Sequence, residues 1–430
     1  MIVMLVKILE NRLVFLIFAI LFKLILDYSY YTYVVEVFSY DGFELNFDIK
    51  RYTFIFLLLG CLTLFIPKLL NKISDYFFNI FLFIVIYPLG TLTSLNYNLS
   101  IEPFAVNFLS YLFMLLLINL NFSNRMVKFP YIKNGRKIYI FISVIMILYL
   151  IVWYFITGAV SNFNLDLSKV YDFRDINSEL TNIGVTAYLN SWVYQVFSIA
   201  LMAYFLLRKK YLSFCLLVGI QVFFFGIAAH KSILFSPLMV LGIYFYLSKT
   251  KALSTVPMML FLLIGFGLIL YHFDNHSLLA SVLIRRIFFV PASLNFSYFD
   301  FFSINSFNYW SDSILSVFQE RKYFNSVPQE IGYFLGNNAR ANNGLVSSGY
   351  AQAGYLGVFI YSFILVFVLK ILDQLPEKNV PLWFYLVLVI TPIRNILLSS
   401  DLFIVFLTHG FIVAIIMLIL FREKAGKIYG

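Results

Sequence analysis

Runs of 17 to 20 apolar residues recur along almost the whole of this chain, and no water-soluble core accommodates a dozen of them. Only 12% of residues are charged, where a soluble chain carries about a quarter. A segment in lipid must satisfy its backbone polar groups within itself or within a closed barrel. The runs show no period-two alternation, which argues against a barrel. The sequence therefore predicts an all-α integral membrane protein of about 12 transmembrane helices, folded as one polytopic domain over residues 1–430. The expected spans are about 11–27, 52–67, 76–93, 103–120, 138–157, 189–207, 212–229, 232–247, 254–272, 355–372, 380–397 and 402–421. A re-entrant segment near 287–295 or 393–400 would alter that count.

The opening "MIVMLVKILENRLVFLIFAI" has no small-residue cleavage site and reads as a retained first span. Cys61 and Cys215 lie inside apolar runs and carry no disulfide or metal signal. The net charge of +10 would suggest nucleic acid in a soluble protein. Here the basic residues flank spans, so topology accounts for most of them and no nucleic-acid partner is expected. One set of loops holds Lys7, Arg12, Lys68, Lys72, Arg125, Lys128, Lys133, Arg136 and Lys137. It continues with Arg208, Lys209, Lys210, Lys249, Lys251, Lys378, Arg422, Lys424 and Lys427. The positive-inside rule places that set and both termini in the cytoplasm.

Two segments on the other side stand apart. The first, 158–188, carries "VYDFRDINSEL"; the second, 273–354, is about eighty residues long and rich in Tyr, Phe, Asn and Ser. Loops this long are functional or disordered, and the aromatic content argues for order. Short helices near the bilayer surface are expected there.

The candidate residues follow from these segments. Arg285 and Arg286 sit together in "SVLIRRIFFVPAS", where orientation gives no reason for them. A guanidinium fork suits phosphate oxygens, and snorkelling to lipid headgroups is the competing reading. Arg340 is the single charge in "GYFLGNNARANNGLVSSGYAQAGYLG". There Gly336, Gly344 and Gly349 permit turns and close approach, and Asn337, Asn338, Asn342 and Asn343 suit sugar hydroxyls. Arg174 lies between Asp172 and Asp175, so a local ion pair competes with substrate binding. Asp175 and Glu179 would share a helix face. His230-Lys231 occupies a tight turn between two spans, where ionisable groups are functional candidates. His272 and His276 open the long segment, and either could act as a base near neutral pH. No third ligand spacing follows them, so no metal site is expected. Arg394 and Asp401, seven apart, read as an internal pair.

Three stretches resemble one family. "HKSILFSP", "LIRRIFFVPASL" and "NNGLVSSGYAQAGYLGVFIY" with its Gly354-x-x-Gly357, in a layout of spans with two outer loops bearing arginines, resemble the bacterial O-antigen polymerase (Wzy) family. That resemblance implies a fold similar to multi-span lipid-dependent (GT-C-like) glycosyltransferases. It implies joining of undecaprenyl-pyrophosphate-linked oligosaccharide repeat units on the periplasmic face of the inner membrane, without a cofactor. The implied partners are undecaprenyl-pyrophosphate-linked glycans, a chain-length co-polymerase and membrane lipids.

On that reading Arg285, Arg286, Arg340 and His276 are the catalytic candidates. Arg174, His230, Lys231, Asn338 and Asn343 are the substrate-binding ones. The related O-antigen ligases carry a His followed by Asn, Ser or Gln and a later Gly; Ile287 stands at the Gly position after His276-Ser277, which disfavours a ligase. A transporter or flippase also suits twelve spans, but no internal repeat is visible and most arginine candidates lie outside the spans.

Overall fold

The structure is a computed structural model describing residues 2–120, 129–166, 170–274, 277–313 and 318–422. His276 lies outside the described residues. Among those described, every regular element is helical, and two isolated bridges, Asn46–Asn96 and Leu69–Ala252, are the only β-type pairing. Ten helices are long and apolar enough to cross a membrane. The chain is thus a multi-span helical membrane protein.

Each of the twelve expected runs overlaps a helix. Three of those helices, Ile49–Phe65, Lys231–Leu247 and Leu382–Leu398, have 17 residues. At about 1.5 Å per residue they fall a little short of a ~30 Å hydrocarbon core. The tenth long helix, Leu278–Ile304, lies inside the segment read as an outer loop. Arg285, Arg286, Asn295, Ser297 and Asp300 dilute its hydropathy, so it forms no continuous apolar run.

The chain forms two compact units: 1–122 with 250–370 and 394–402, and 123–249 with 371–393 and 403–430. In the first unit, α1 (Arg12–Asp41) packs along α2 (Thr255–Phe273). The helix α3 (Ile73–Leu95) is the centre, with every residue from Tyr87 to Leu95 buried. An all-round apolar helix needs protein on every side.

One end of this unit collects basic groups. Arg12 donates to the carbonyls of Ile66 and Thr63 at 2.7 Å, Leu70 N–H bonds Lys251 O at 2.7 Å, and Lys370 reaches Leu120 O at 2.7 Å. The other end holds the connections 42–48 and 96–101, joined at Asn46–Asn96. Both ends of Leu278–Ile304 meet that second end. Arg285 pairs with Asp41 at 2.8 Å, and Asp300 lies within electrostatic reach of Glu102.

The glycine-rich stretch folds onto itself here. Leu345–Gln374 is two helices, because Ala353 (φ −156°, ψ 34°) and Gly354 (φ 60°, ψ −141°) leave helical geometry and reverse the chain. The two halves cross at Gly349 and Gly357, so tightly that a Cβ on Gly357 would overlap the Gly349 carbonyl. The second half starts with Tyr355, whose hydroxyl bonds Glu102 at 2.6 Å.

In the second unit, α4 (Gly135–Ile156), α5 (Thr186–Leu207), α6 (Tyr211–Ala228) and α7 (Lys231–Leu247) pack with the final helix α8 (Leu402–Phe421). Arg136 donates to Phe421 O at 3.2 Å at its basic end. At the opposite end a short helix, Val170–Thr181, lies over the end of α6.

Candidate functional site

Helix Val170–Thr181 carries Arg174 to the end of α6, and two of its residues hold it there. Asn177 is buried, donates to Ile227 O at 2.8 Å and accepts from Asn162 at 3.0 Å. The Thr181 carbonyl accepts from Trp153 Nε1 and from Asn190, both at 3.0 Å. Below, α6 ends at Ala229, a left-handed residue (φ 54°, ψ 23°) where helices ordinarily use glycine. That turn sends the chain straight into α7 and leaves His230 at its N-cap position. Tyr194 lies beside the imidazole, with ring centroids 6.2 Å apart.

These elements enclose a narrow pocket lined by Tyr154, Arg174, Asn177, Ser178, Thr181, Asn182, Tyr194, Ala228 and His230. It has room for about one water molecule, so it seats a single polar group rather than a whole sugar ring. Amides and hydroxyls, which can both donate and accept, line much of it. Burial pushes His230 down to about 4, and the positive charge of Arg174 and the neighbouring His409 adds to the effect. The imidazole is therefore neutral near pH 7 and presents an acceptor beside a fixed cation.

Sequence reasoning named Arg174 and His230 separately, and the fold brings them to one pocket. Lys231 is exposed at the first turn of α7. His409 went unremarked, although Thr408-His409-Gly410 interrupts the final apolar run. The interruption is real: Gly410 has φ +72°, and Trp192 Nε1 bonds Leu407 O at 2.7 Å to hold the break.

In the first unit, Arg285 is half-buried, ion-paired to Asp41, and stacked over Phe38 at 4.3 Å. Arg286 and Arg340 are exposed. Asn338 is exposed and its carbonyl accepts from Gln329 at 2.9 Å. Asn343 is buried and bonds Pro291 O at 3.1 Å and Ser347 at 3.0 Å, so it braces the reversed chain. Gly344 and Gly349 make their close approach to this chain's own backbone.

Asp401 accepts from Tyr361 at 2.6 Å, and Tyr361 accepts from Trp310 Nε1 at 2.9 Å. The expected Arg394–Asp401 pair is not formed. The sequence reading also passed over Lys23, 1% exposed, which pairs with Asp27 within the first span. The i, i+4 spacing of two charges in an apolar run was the available signal.

Among the described residues no three His, Cys, Asp or Glu side chains gather as a metal site would require. Comparisons with family models, curated proteins and solved structures return no match.

Proposed function

We propose that this chain is a glycosyltransferase that polymerises oligosaccharide repeat units carried on undecaprenyl pyrophosphate, at the periplasmic face of a bacterial inner membrane. The observation that supports it most is the meeting of Arg174 and His230 in one polar pocket at a helix end. The acceptor hydroxyl enters the pocket and donates to the neutral His230 imidazole. Its oxygen attacks the anomeric carbon of the donor, and the bond to the pyrophosphate oxygen breaks. The electron pair leaves with the pyrophosphate, and the hydroxyl proton passes to His230.

Positive charge must meet the departing anion, and Arg174 supplies it without a metal. An imidazole near 4 is a weak base in the free protein. Burial is the larger cause of that depression; a bound pyrophosphate offsets the smaller, cationic part and moves the imidazole partway toward the working pH. In this reading Lys231 stands at the substrate's approach to that pocket; in the other unit Arg286, Arg340 and Asn338 are exposed for substrate contacts of their own, and Arg285 positions its helix through Asp41. Both termini lie in the cytoplasm, and a co-polymerase sets chain length.

The test is deletion in the native host, complementation, and a gel of surface lipopolysaccharide. Loss of the chain should leave core bearing one repeat unit. Arg174→Ala and His230→Ala should each lower polymer yield at least tenfold while the protein stays inserted. Bare core would point to a ligase or a flippase instead, and an unchanged ladder would remove the polysaccharide reading.

A further inference from the structure

Helix α1 carries Lys23 and Asp27 inside its apolar run, one turn apart. Asp27 stands 15 residues beyond Arg12. That is about 22 Å along the helix from the basic end, still within a ~30 Å hydrocarbon core. Charges at such depth are costly and ordinarily serve a function. Here the two form an ion pair, and α3 ties it in place. Thr91 accepts from Lys23 at 3.2 Å and donates to Asp27 at 2.9 Å. From helix Ile49–Phe65, Tyr52 donates to the other Asp27 oxygen at 2.9 Å, and its ring lies 5.2 Å from the Lys23 ammonium.

Against this network the first unit holds a cavity of about 380 Å³, within the size range of ligand pockets. Leu45, Phe47, Ile49 and Leu95 wall it, and Asp27 and Tyr52 form its polar end. Leu45, Phe47 and Ile49 are exposed, so the mouth opens at the outside of the unit.

The polar end is one-sided. Lys23 is enclosed behind Asp27, and the Tyr52 proton is committed to the carboxylate. A carboxylate takes about four hydrogen bonds, and the phenol oxygen can accept another. Asp27 already receives bonds from Lys23, Thr91 and Tyr52, which leaves acceptor capacity toward the cavity and no donor. An occupant must therefore donate. An anion would meet a carboxylate. Lys23 already neutralises that carboxylate, which favours an uncharged donor over an ammonium.

The geometry points to a binding site for an apolar molecule bearing a hydroxyl group, an alcohol dissolved in the bilayer. The hydroxyl donates to Asp27, and the chain lies against Leu45, Phe47, Ile49 and Leu95. This site does not rest on the transferase reading, since a lipid pyrophosphate is an anion, and its test uses no transfer assay.

The full chain is placed in nanodiscs of phosphatidylcholine, a lipid without hydrogen-bond donors, and photolabelled with a diazirine-bearing dodecanol. Peptide mass spectrometry should find the label on the peptides carrying Leu45, Phe47 and Leu95. Plain dodecanol should compete at about tenfold lower concentration than dodecane, dodecyl phosphate or dodecylammonium, the order of one hydrogen bond to a charged acceptor. Leu45→Trp puts a ring in the mouth at an exposed position, so it should remove the label and leave thermal unfolding unchanged.

Lys23→Met combined with Asp27→Leu removes both charges together and leaves no lone buried ion. In that variant dodecanol and dodecane should compete equally. Absence of label from these peptides would overturn the proposal. So would equal or better competition by the alkane, the phosphate or the ammonium, label that survives Leu45→Trp, or a double variant that still prefers the alcohol.

Discussion

At the scale of single residues, the turn between α6 and α7 holds two groups under opposing demands. Ala229 adopts a left-handed conformation that costs a β-carbon about 1 kcal/mol. It is held there because the chain must reverse within two residues to set His230 against Tyr194 and Arg174. Ala229→Gly removes the penalty but adds chain entropy to the unfolded state. The expected result is a net gain of about 0.5 kcal/mol, read as a small rise in Tm in micelles. No change or a fall would mean that the turn is not strained.

His230 gives a prediction of definite sign. Its ordinary value is 6.5 and the fold lowers it to about 4. Between those values the unfolded chain binds the proton and the folded one does not, so stability falls as the pH drops from 6.5 to 4. The full difference is on the order of 3 kcal/mol. His230→Gln should flatten that part of the Tm–pH curve, and an unchanged slope would place the titration elsewhere. The sequence marked both Arg174 and His230 as candidates from their charge beside lipid. It could not pair them, because pairing depends on Asn177 and Thr181 docking one helix over the end of another.

At the scale of elements, long apolar runs were legible and polar helices were not. Hydropathy shows Leu278–Ile304 only as a loop with a possible re-entrant stretch near 287–295, because Arg285, Arg286 and Asp300 break its apolar run, yet each of these faces a partner or solvent in a continuous helix. Its segment Ser281–Phe289 is wound as a π-helix, and so is Val193–Phe197 in α5. The first carries Arg285 and Arg286, and the second carries Tyr194 to the His230 pocket. A π-turn rotates the face that follows it, and it recurs at functional sites. Hydropathy has no signal for that rotation.

The glycines of Gly332–Gly357 suit, from sequence, the close approach of a ligand, and two of them make room for helix against helix instead. Gly357→Ala would press a methyl group on the Gly349 carbonyl, with backbone on both sides and no side chain to yield. A loss of at least 2 kcal/mol is expected, on the order of other overpacked contacts. Thermal unfolding of the variant checks it; a loss below about 0.5 kcal/mol, within the usual surface range, would mean that the two halves are free to separate.

At the scale of the whole molecule, span parity decides which face the loops occupy. Twelve crossings return the chain to its starting side, and a thirteenth at Leu278–Ile304 would not. The basic residues favour an even number, because Lys7, Arg12, Lys378 and Arg422 then share one side. The first unit agrees, since Arg285 near one end of that helix and Asp300 near the other both meet groups at the end bearing 42–48 and 96–101. A helix threading from face to face would bring only one of those residues there. Leu278–Ile304 is thus expected to keep both of its ends on one side rather than to cross.

Single cysteines, placed after Cys61 and Cys215 are replaced, decide this. At Asp274, Ser306 and Asn337 they should react with an impermeant maleimide in intact spheroplasts. At Lys72, Lys210 and Lys378 they should react only after permeabilisation. If Asp274 labels from outside while Ser306 and Asn337 require permeabilisation, Leu278–Ile304 is a true crossing. Arg340 would then lie on the side of Lys72, which removes it from any role at the outer face. Labelling of all three from outside keeps Arg286 and Arg340 on the face where a lipid-linked glycan would arrive.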